Sequence, residues 1–303
     1  MAGGVMCYGE MGIDNLIRVP HLPSPEIAVF PESETYQVGG AAANSAVWLS
    51  HWAVPVALAG NHIGTDDYGL HLISQLRREP SLSLEYVIQR KDVVTPFCRV
   101  MVTPNGERTF LVFWYPQTAR TLLTHEMLHG RGYLALDLYG GGERVAAAQI
   151  AREADVSTVV GDVVWPDHAA LPLTDIATNS AAYTRQTFPG VDVRQHARAL
   201  QQINRGVMIT TDGPRPIHVI AEDQSEFIVR PPRVEPLDAT GAGDVFRAGL
   251  IYGLLQGWEL QECVRFGAGA GAISVRQAGA ASDPATVIEV RALASEAEIS
   301  AAG

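Results

Sequence analysis

The stretch "DATGAGD" at residues 238–244 places three small residues ahead of an aspartate, and the apolar run "VFRAGLIYGLL" follows at once. Residues 241–243 carry almost no side chain, so the backbone of this loop is able to approach a ligand closely. The unpaired N–H groups and the dipole at a helix N-terminus attract anions. The stretch therefore predicts an anion-binding loop at the start of a helix that ends near Gly257, with Asp244 in its first turn.

Two simpler interpretations of this loop must be weighed. No Gly-Lys-Ser/Thr sequence follows the glycines, so the loop is not a P-loop of the Walker A type. Asp244 alone fits a helix cap, because a carboxylate is favourable at a helix N-terminus. The rest of the chain has to decide between a cap and a catalytic acid.

On either side of this loop, short apolar runs that end in glycine alternate with helix-like stretches. Examples of the first kind are "VPVALAGNHIG", "GYLALDLYGG" and "RGVMITTDG", and examples of the second are "AAANSAVWLSHW" and "VRQHARALQQIN". Strands that alternate with helices are typical of a parallel sheet covered on both faces. The Ala-rich tail after Arg291 predicts a final helix that frays.

Two segments break this alternation. Residues 97–115 read as two strands joined by "PNGE", a strong hairpin signal because Asn-Gly tolerates positive φ. Residues 12–38 are extended and punctuated by prolines. We expect both segments to meet in a small β-sheet lid formed by 12–38 and 93–115, on a core formed by 1–11, 39–92 and 116–303.

Composition excludes several classes of protein. The 303 residues include 47% hydrophobic residues and carry a formal charge of −11 without a Lys/Arg cluster, which argues against nucleic acid or an anionic membrane as a partner. No apolar run approaches the roughly 20 residues that span a bilayer. The N-terminal sequence has no signal-peptide pattern, and the three cysteines form no CxxC pair. A cytoplasmic protein with reduced thiols is expected.

Two motifs near opposite ends of the chain carry a resemblance to a known family. "DATGAGDVFRAGL" closely resembles the signature of the ribokinase-like (PfkB) carbohydrate kinases, and "GGAAANSAVWLSHW" from residue 39 resembles their N-terminal motif. The resemblance implies a three-layer α/β/α fold with a mainly parallel central sheet and a small β-sheet lid. It also implies that Asp244 is the catalytic base and that the amides of Gly241, Ala242 and Gly243 form the anion hole for the phosphoryl group.

Further segments extend the likeness from about residue 5 to 290. They are "GEMGID", "GNHIGTDDYG", "NGERTF" and "GAGAGAISVRQAGAASDP". The resemblance implies ATP and Mg²⁺ as cofactors, together with K⁺ beside Asp238. The substrate-binding residues that it implies are Asp14, Gly39, Gly40 and Asn44. We add Arg108 of the lid as a further candidate for substrate binding. The corresponding nucleotide-binding residues are Asn179, Thr211, Gly213 and Gly243.

The chain departs from the family pattern in three places. Ala182 stands where the N-x-x-E motif has the Glu that organises Mg²⁺, and Pro216 replaces the second glycine of the nucleotide loop. The lysine typical of ribokinases proper is missing after Gly39-Gly40, which disfavours ribose. Possible substitutes for the missing Glu are Glu10, Asp162 and Asp175, and the sequence does not choose among them.

The expected function is ATP-dependent phosphorylation of a primary hydroxyl of a small sugar or sugar acid. One alternative is a nucleoside kinase that uses Phe113, Trp114 and Tyr115 of the lid for stacking. Another is a non-catalytic sugar or nucleotide binder. "HEMLH" at 125–129 matches a zinc-protease pattern, but Gly130 ends that helix at once, so we interpret it as a short helix capped by Thr124. Exposed lid edges predict a homodimer through the lid.

Overall fold

The computed structural model describes residues 3–104, 108–161 and 163–302. The strands are β1 Gly4–Gly9, β2 Gly12–Arg18, β3 Ser33–Gly39, β4 Val56–Gly60, β5 Ile63–Gly64, β6 Leu82–Ser83, β7 Gln89–Arg90, β8 Phe97–Val102, β9 Arg108–Phe113, β10 Arg131–Asp137, β11 Ser157–Gly161, β12 Ile176–Ser180, β13 Val207–Asp212, β14 Arg215–Ile220, β15 Glu226–Arg230 and β16 Glu298–Ala301. The α-helices are α1 Ala41–His51, α2 Asp67–Leu76, α3 His125–Leu128, α4 Gly142–Glu153, α5 Ala181–Thr187, α6 Val193–Asn204, α7 Ala242–Leu255, α8 Leu260–Ser274 and α9 Val287–Ala294.

The large sheet has the strand order β16-β15-β14-β13-β12-β11-β10-β1-β4-β6. Every pair from β13 through to β6 is parallel, whereas β14, β15 and β16 pair antiparallel at one edge. The predicted mainly parallel sheet is therefore confirmed. Its parallel strands deliver their carboxyl ends to one edge, where ligands of open α/β sheets bind.

Alternation along the strands explains the three layers. In β1, Val5 and Cys7 face one hydrophobic cluster, which contains side chains of α1, α7 and α8, while Met6 and Tyr8 face another, which contains side chains of α4 and α6. Successive side chains of a strand point to opposite faces, so a strand that is apolar throughout requires helices on both sides. The predicted α/β/α arrangement follows from this pattern.

A separate four-stranded sheet has the order β3-β2-β8-β9 and is called the lid sheet below. β2 pairs antiparallel with β3 and parallel with β8, which in turn pairs antiparallel with β9. The two predicted insertions thus meet in one sheet, as expected. The tip of the hairpin, residues 105–107, lies outside the described residues, and the assignment of 12–38 and 93–115 to a separate domain stays a prediction.

The predicted C-terminal helix is wrong in its extent. α9 ends at Ala294, and residues 298–301 form β16, which pairs with β15. Ile299 pairs with Val229 at the sheet edge, so the strand gains backbone hydrogen bonds that alanine content alone does not reveal. Among the described residues, no helix has both the length and the hydropathy to cross a bilayer.

Candidate active site

The loop that opens α7 has the geometry that its glycines predict. Gly241 caps the helix with φ +66°, a left-handed conformation, and a Cβ built on it would overlap the methyl group of Ala280 and meet Asn44 Nδ2 at 3.0 Å. Ala242 and Gly243 follow in the first turn, where backbone N–H groups lack helical carbonyl partners, and Ala242 N makes only a long hydrogen bond of 3.4 Å to the Ala239 carbonyl. The loop therefore presents amide donors at the carboxyl edge of the sheet, with no side chain of its own in front of them.

Asp244 lies buried in this first turn and contacts α1. Asn44 donates from Nδ2 to Asp244 Oδ2 at 2.9 Å, and Ser45 Oγ donates to the backbone carbonyl of Asp244 at 3.0 Å. The guanidinium of Arg247 lies 3.7 Å from Asp244 Oδ1. Two residues that sequence reasoning placed in separate motifs, Asn44 and Asp244, thus share one buried hydrogen bond.

Asp238 joins this loop to a second one. Its Oδ1 accepts from the backbone N–H and the hydroxyl of Thr240 at 2.9 and 2.6 Å, and its Oδ2 accepts from the N–H of Gly279 at 2.8 Å. Three donors therefore occupy a carboxylate that was predicted to border K⁺. Because these donors already use both oxygens of Asp238, the carboxylate fits a directly bound cation poorly. Its hydrogen bonds instead connect the loop that precedes α7 to the loop that contains Gly279.

Asp14 and the Gly39-Gly40 pair lie where the lid sheet meets α1, and the region between them and the loop 238–244 is called the cleft below. Asp14 lies on β2, and Gly39 lies so close to it on β3 that any side chain there would overlap the carboxylate. Gly40 is the N-cap of α1. Burial, and then the neighbouring Asp238 carboxylate, raise the pKa of Asp14 to about 7. Asp14 is thus an acid held next to a like charge, an arrangement common at functional sites.

We expect Asp14→Asn to stabilise the protein increasingly as pH rises from 4 to 8. The folded pKa of about 7 exceeds the ordinary value of 3.8. Between these values the native state holds the proton more tightly than the unfolded chain, so wild-type stability falls with rising pH. Asparagine does not titrate, so the variant escapes a cost of at most about 4 kcal/mol. Urea unfolding of both proteins between pH 4 and 8 measures the difference in their free energies of unfolding. A difference that does not change with pH would contradict the raised pKa of Asp14.

A buried charge network that the sequence analysis missed adjoins Gly40. Glu10 Oε1 pairs with Arg120 at 2.8 Å, and Arg144 donates to Asp137 Oδ1 at 2.9 Å while lying 3.5 Å from Glu10. Burial, followed by the Asp137 charge, raises the pKa of Glu10. Glu10 Oε2 and Arg120 Nη1 are buried without a hydrogen-bond partner among the described residues. The sequence signal that could have indicated this network is Asp137 at the end of a strand, seven residues before Arg144.

The predicted nucleotide residues lie further along the same edge. Asn179 is the penultimate residue of β12, where its side chain accepts from Val164 N and donates to Thr184 Oγ1. Thr211 Oγ1 donates to the Asn179 carbonyl at 3.4 Å. Gly213 lies in the turn between β13 and β14. β12 is three strands from β1, or about 14 Å at 4.8 Å per strand. This separation leaves room for a nucleotide beside the Asp244 loop.

Arginines surround the place of the missing Glu. Ala182 is in the first turn of α5, and Arg185, one turn later on the same helix, pairs with Asp212. Arg215 donates to the same carboxylate at 2.7 and 2.6 Å. Two guanidinium groups on one carboxylate leave a local positive charge beside the Thr211 turn.

Neither Glu10 nor Asp175 forms a metal site. Asp175 precedes β12 at the opposite, amino edge of the sheet, where it accepts from Thr158 N at 2.7 Å, so it is wrong as a substitute. Glu10 is engaged by arginine, and Asp162 lies outside the described residues. Within the described chain, no group of three His, Cys, Asp or Glu side chains could hold a metal ion.

The structure does not bring Arg108 to Asp14. Arg108 on β9 pairs with Val102 on β8, which in turn pairs with Arg18 on β2. Arg18 is four residues, or about 14 Å, along β2 from Asp14, so Arg108 lies at the far end of the lid sheet. Its guanidinium lies over the Phe110 ring, 5.8 Å from the centroid. Arg108 is therefore not positioned beside Asp14.

The lid aromatics proposed for base stacking are largely occupied. Phe113 stacks on Phe97 with a centroid separation of 4.5 Å, and Tyr115 is buried. Only Trp114 of the three is exposed, at 46%. This arrangement gives a nucleoside base no paired aromatic platform from these residues.

The "HEMLH" segment forms the short helix that we expected. α3 covers only His125–Leu128, its N-cap Thr124 accepts from Met127 N, and Met127 and Leu128 are buried. His125 lies 3.3 Å from Glu153, and His129 follows the helix in an extended conformation. The two histidines therefore do not share a helical face as a zinc site requires.

Comparison with known proteins agrees with this geometry. The sequence profile described as "pfkB family carbohydrate kinase" matches residues 3–286. A fructokinase of Vibrio alginolyticus is 24% identical over 84% of this chain and 91% of its own length. A ribokinase of Haemophilus influenzae is 25% identical over 90% of this chain and 92% of its own length.

A solved structure supports the fold. Arabidopsis thaliana ribokinase, in a complex with ribose and ATP, superimposes with a TM-score of 0.81 and covers 97% of this chain and 99% of its own. The two sequences are 19% identical, so this likeness establishes the architecture alone. The ribokinase-like fold that the two motifs predicted is confirmed.

Proposed function

Because the chain belongs to the pfkB family of carbohydrate kinases, we propose that it transfers the γ-phosphoryl group of ATP to a primary hydroxyl of a small sugar or sugar acid. The observation that carries this proposal is the buried bond between Asn44 and Asp244, 2.9 Å long and spanning 200 residues, at the glycine-rich N-terminus of α7. A carboxylate fixed beside the amides of a helix N-terminus can accept a proton from a hydroxyl while the amides hold an anion.

Each group has a defined task in this reaction. Asp244 accepts the proton of the attacking hydroxyl, and Asn44 fixes the carboxylate orientation. The amides of Gly241, Ala242 and Gly243 stabilise charge on the transferring phosphoryl group. Asp14 accepts from sugar hydroxyls, and Gly39 and Gly40 allow the sugar to approach the backbone. Phosphoryl transfer needs mainly such positioning and charge stabilisation, because its transition state is loose.

The nucleotide would extend from the Asp244 loop toward β12 and β13. Asn179, Thr211, Gly213 and Gly243 are the residues that we propose to contact it, and Arg185 and Arg215 supply positive charge there. Mg²⁺ bound to the nucleotide would neutralise phosphate charge. The lid sheet would cover the sugar and exclude water from the phosphoryl group.

The decisive experiment measures ADP release from MgATP against a panel of neutral sugars, sugar acids, polyols and nucleosides. We expect sugar-dependent turnover. Turnover with nucleosides alone would replace the proposed substrate class by nucleosides. ATP binding without turnover on any member of the panel would show that the protein is a non-catalytic binder, and the proposal would then be wrong.

We further propose a homodimer through the lid sheet. β9 is an edge strand, and Phe110, Leu111 and Val112 are 49%, 46% and 61% exposed. Exposed apolar edges favour pairing with another chain. We expect a dimer mass in sedimentation for the wild type, and a monomer mass for the double variant Leu111→Lys/Val112→Lys. Ile288→Lys on α9, where Ile288 is 80% exposed, is the control and should stay dimeric. A monomeric wild type would contradict the proposal.

A further inference from the structure

Gln37 is a buried polar residue in the cleft to which the proposed reaction gives no task. It lies on β3, is only 8% exposed, and has no hydrogen-bond partner for Nε2 within the described part of the chain. An unpaired buried amide donor costs about 1–3 kcal/mol of stability, so such groups are uncommon unless a ligand or water satisfies them.

Strand register places Gln37 beside Asp14. The two residues are direct cross-strand partners in the antiparallel pair of β2 and β3. Directly opposite residues project to the same face of a sheet, with Cβ atoms about 4.5–5.5 Å apart. Gln37 therefore faces the same cleft as the proposed sugar ligand Asp14.

The side-chain amide of Gln37 contacts the loop that contains Gly279, which is joined to the loop 238–244. Its amide lies against Gly279, so closely that a Cβ on Gly279 would overlap both amide heteroatoms. Gly279 N donates to Asp238, and the next residue, Ala280, packs on Gly241. Gln37 thus stands where the lid sheet meets the loop that carries Asp244.

The polar atoms of this cleft are predominantly acceptors. Asp244 and, above its pKa of about 7, Asp14 are carboxylates. One N–H of the Asn44 amide is donated to Asp244, while Asn44 Oδ1 has no partner among the described residues. Sugar hydroxyls can donate to all three. An oxygen that only accepts, such as a carbonyl or ring oxygen, needs a donor, and Gln37 Nε2 is the unassigned side-chain donor beside Asp14.

We propose that Gln37 determines substrate specificity by donating to the ring or carbonyl oxygen of a neutral sugar. This inference rests on the kinase function proposed above and deepens it. A carboxylate of the substrate in place of this oxygen would face the like charges of Asp14 and Asp238. Neutral sugars are therefore favoured over sugar acids. Polyols lack this oxygen. A polyol hydroxyl can also accept from Gln37, but it adds a hydrogen that needs an acceptor of its own and an open chain that must be ordered, so the site disfavours polyols.

The test compares matched acceptors in wild type, Gln37→Met and Gln37→Glu. The pairs are fructose with mannitol and ribose with ribitol, and 2,5-anhydromannitol separates the ring oxygen from the carbonyl. We expect the wild type to prefer the ring sugar by at least about 10-fold in kcat/KM, and Gln37→Met to reduce this preference to within about 3-fold. Gln37→Glu should lower kcat/KM for the ring sugar further, because it replaces the amide donor by an acceptor.

A second variant tests the same amide without altering it. Gly279→Ala places a methyl group on the Gln37 amide and should reproduce the loss of preference. Gly257→Ala is the control for backbone strain, because Gly257 has φ +70° against +75° for Gly279 but no atom within 4 Å of its Cβ position. The control should keep the wild-type preference.

The outcomes separate the two proposals. No turnover by the wild type on any sugar would refute the kinase function itself. Turnover with an unchanged sugar-to-polyol ratio in Gln37→Met, or an equal fall for both acceptors, would overturn the role of Gln37 and leave the kinase function intact.

Discussion

Asp244→Asn is expected to lower kcat by about 10²- to 10⁴-fold, the range that general acid–base catalysis contributes. The substitution removes the proton acceptor and keeps the shape of the side chain. Asn44 can still donate from Nδ2 to the new amide oxygen, as it does to Asp244 Oδ2 at 2.9 Å. The loop geometry and the ligand affinities should therefore survive, and single-turnover ADP formation with the best sugar measures the loss.

Two controls make this result specific to the chemistry. Calorimetric titration should give nucleotide and sugar affinities within a few-fold of the wild type, and the unfolding midpoint should stay close to it. A variant that retains more than about a tenth of wild-type kcat would rule out Asp244 as the base. A variant that no longer binds ATP would instead indicate that the carboxylate shapes the loop.

The groups that converge at the site were predictable because their positions follow from chain direction. Parallel strands deliver their carboxyl ends to one edge, and helix N-termini open there. Gly241 and Asp244 are therefore expected at that edge from local patterns, whereas Asn44 was placed at the site only by the resemblance of residues 39–44 to the family motif. The same reasoning predicted the lid strands, because Asn-Gly hairpins and proline-punctuated strands are local signals.

Contacts that depend on side-chain direction and register were not predictable. Arg108 was expected near the sugar, but the pairing of β8 with β9 places it at the far end of the lid sheet. Gln37 is significant only because register sets it opposite Asp14. A one-residue slip would turn Gln37 to the other face, and no local sequence feature excludes that slip. The antiparallel edge strand β16 was missed for the same reason.

Arg247 is the strongest example of a residue that was overlooked. It interrupts the apolar run of α7, where a solvent-exposed position would have been the simple interpretation. Instead its side chain is fully buried, with Nη1 donating to the Leu136 carbonyl at 3.0 Å and Nη2 to the Ala41 carbonyl at 2.8 Å. It also donates to Ser45 Oγ. One guanidinium therefore joins α7, α1 and β10 beneath the Asp244 loop.

Arg247→Met is expected to destabilise the protein by about 3–5 kcal/mol, as does removal of one partner from other buried ion pairs. Methionine fills much of the volume but leaves two buried carbonyls and the Asp244 carboxylate without the cation. Arg247→Lys keeps the charge and loses the planar fork, so it should cost less and recover only part of the stability. Urea unfolding measures all three proteins.

The matched control is Arg198→Met, because the guanidinium of Arg198 likewise donates from two nitrogens, at 2.8 and 3.1 Å to the Glu226 carboxylate, but its side chain is 53% exposed. Exposed pairs contribute about 0–1 kcal/mol, so this variant should unfold close to the wild type. Because Arg247 fixes both α1 and α7, the Met variant should also lose kcat through misplacement of Asp244 relative to Asn44. An Arg247→Met protein as stable as the Arg198→Met control would show that the guanidinium does not hold the site together.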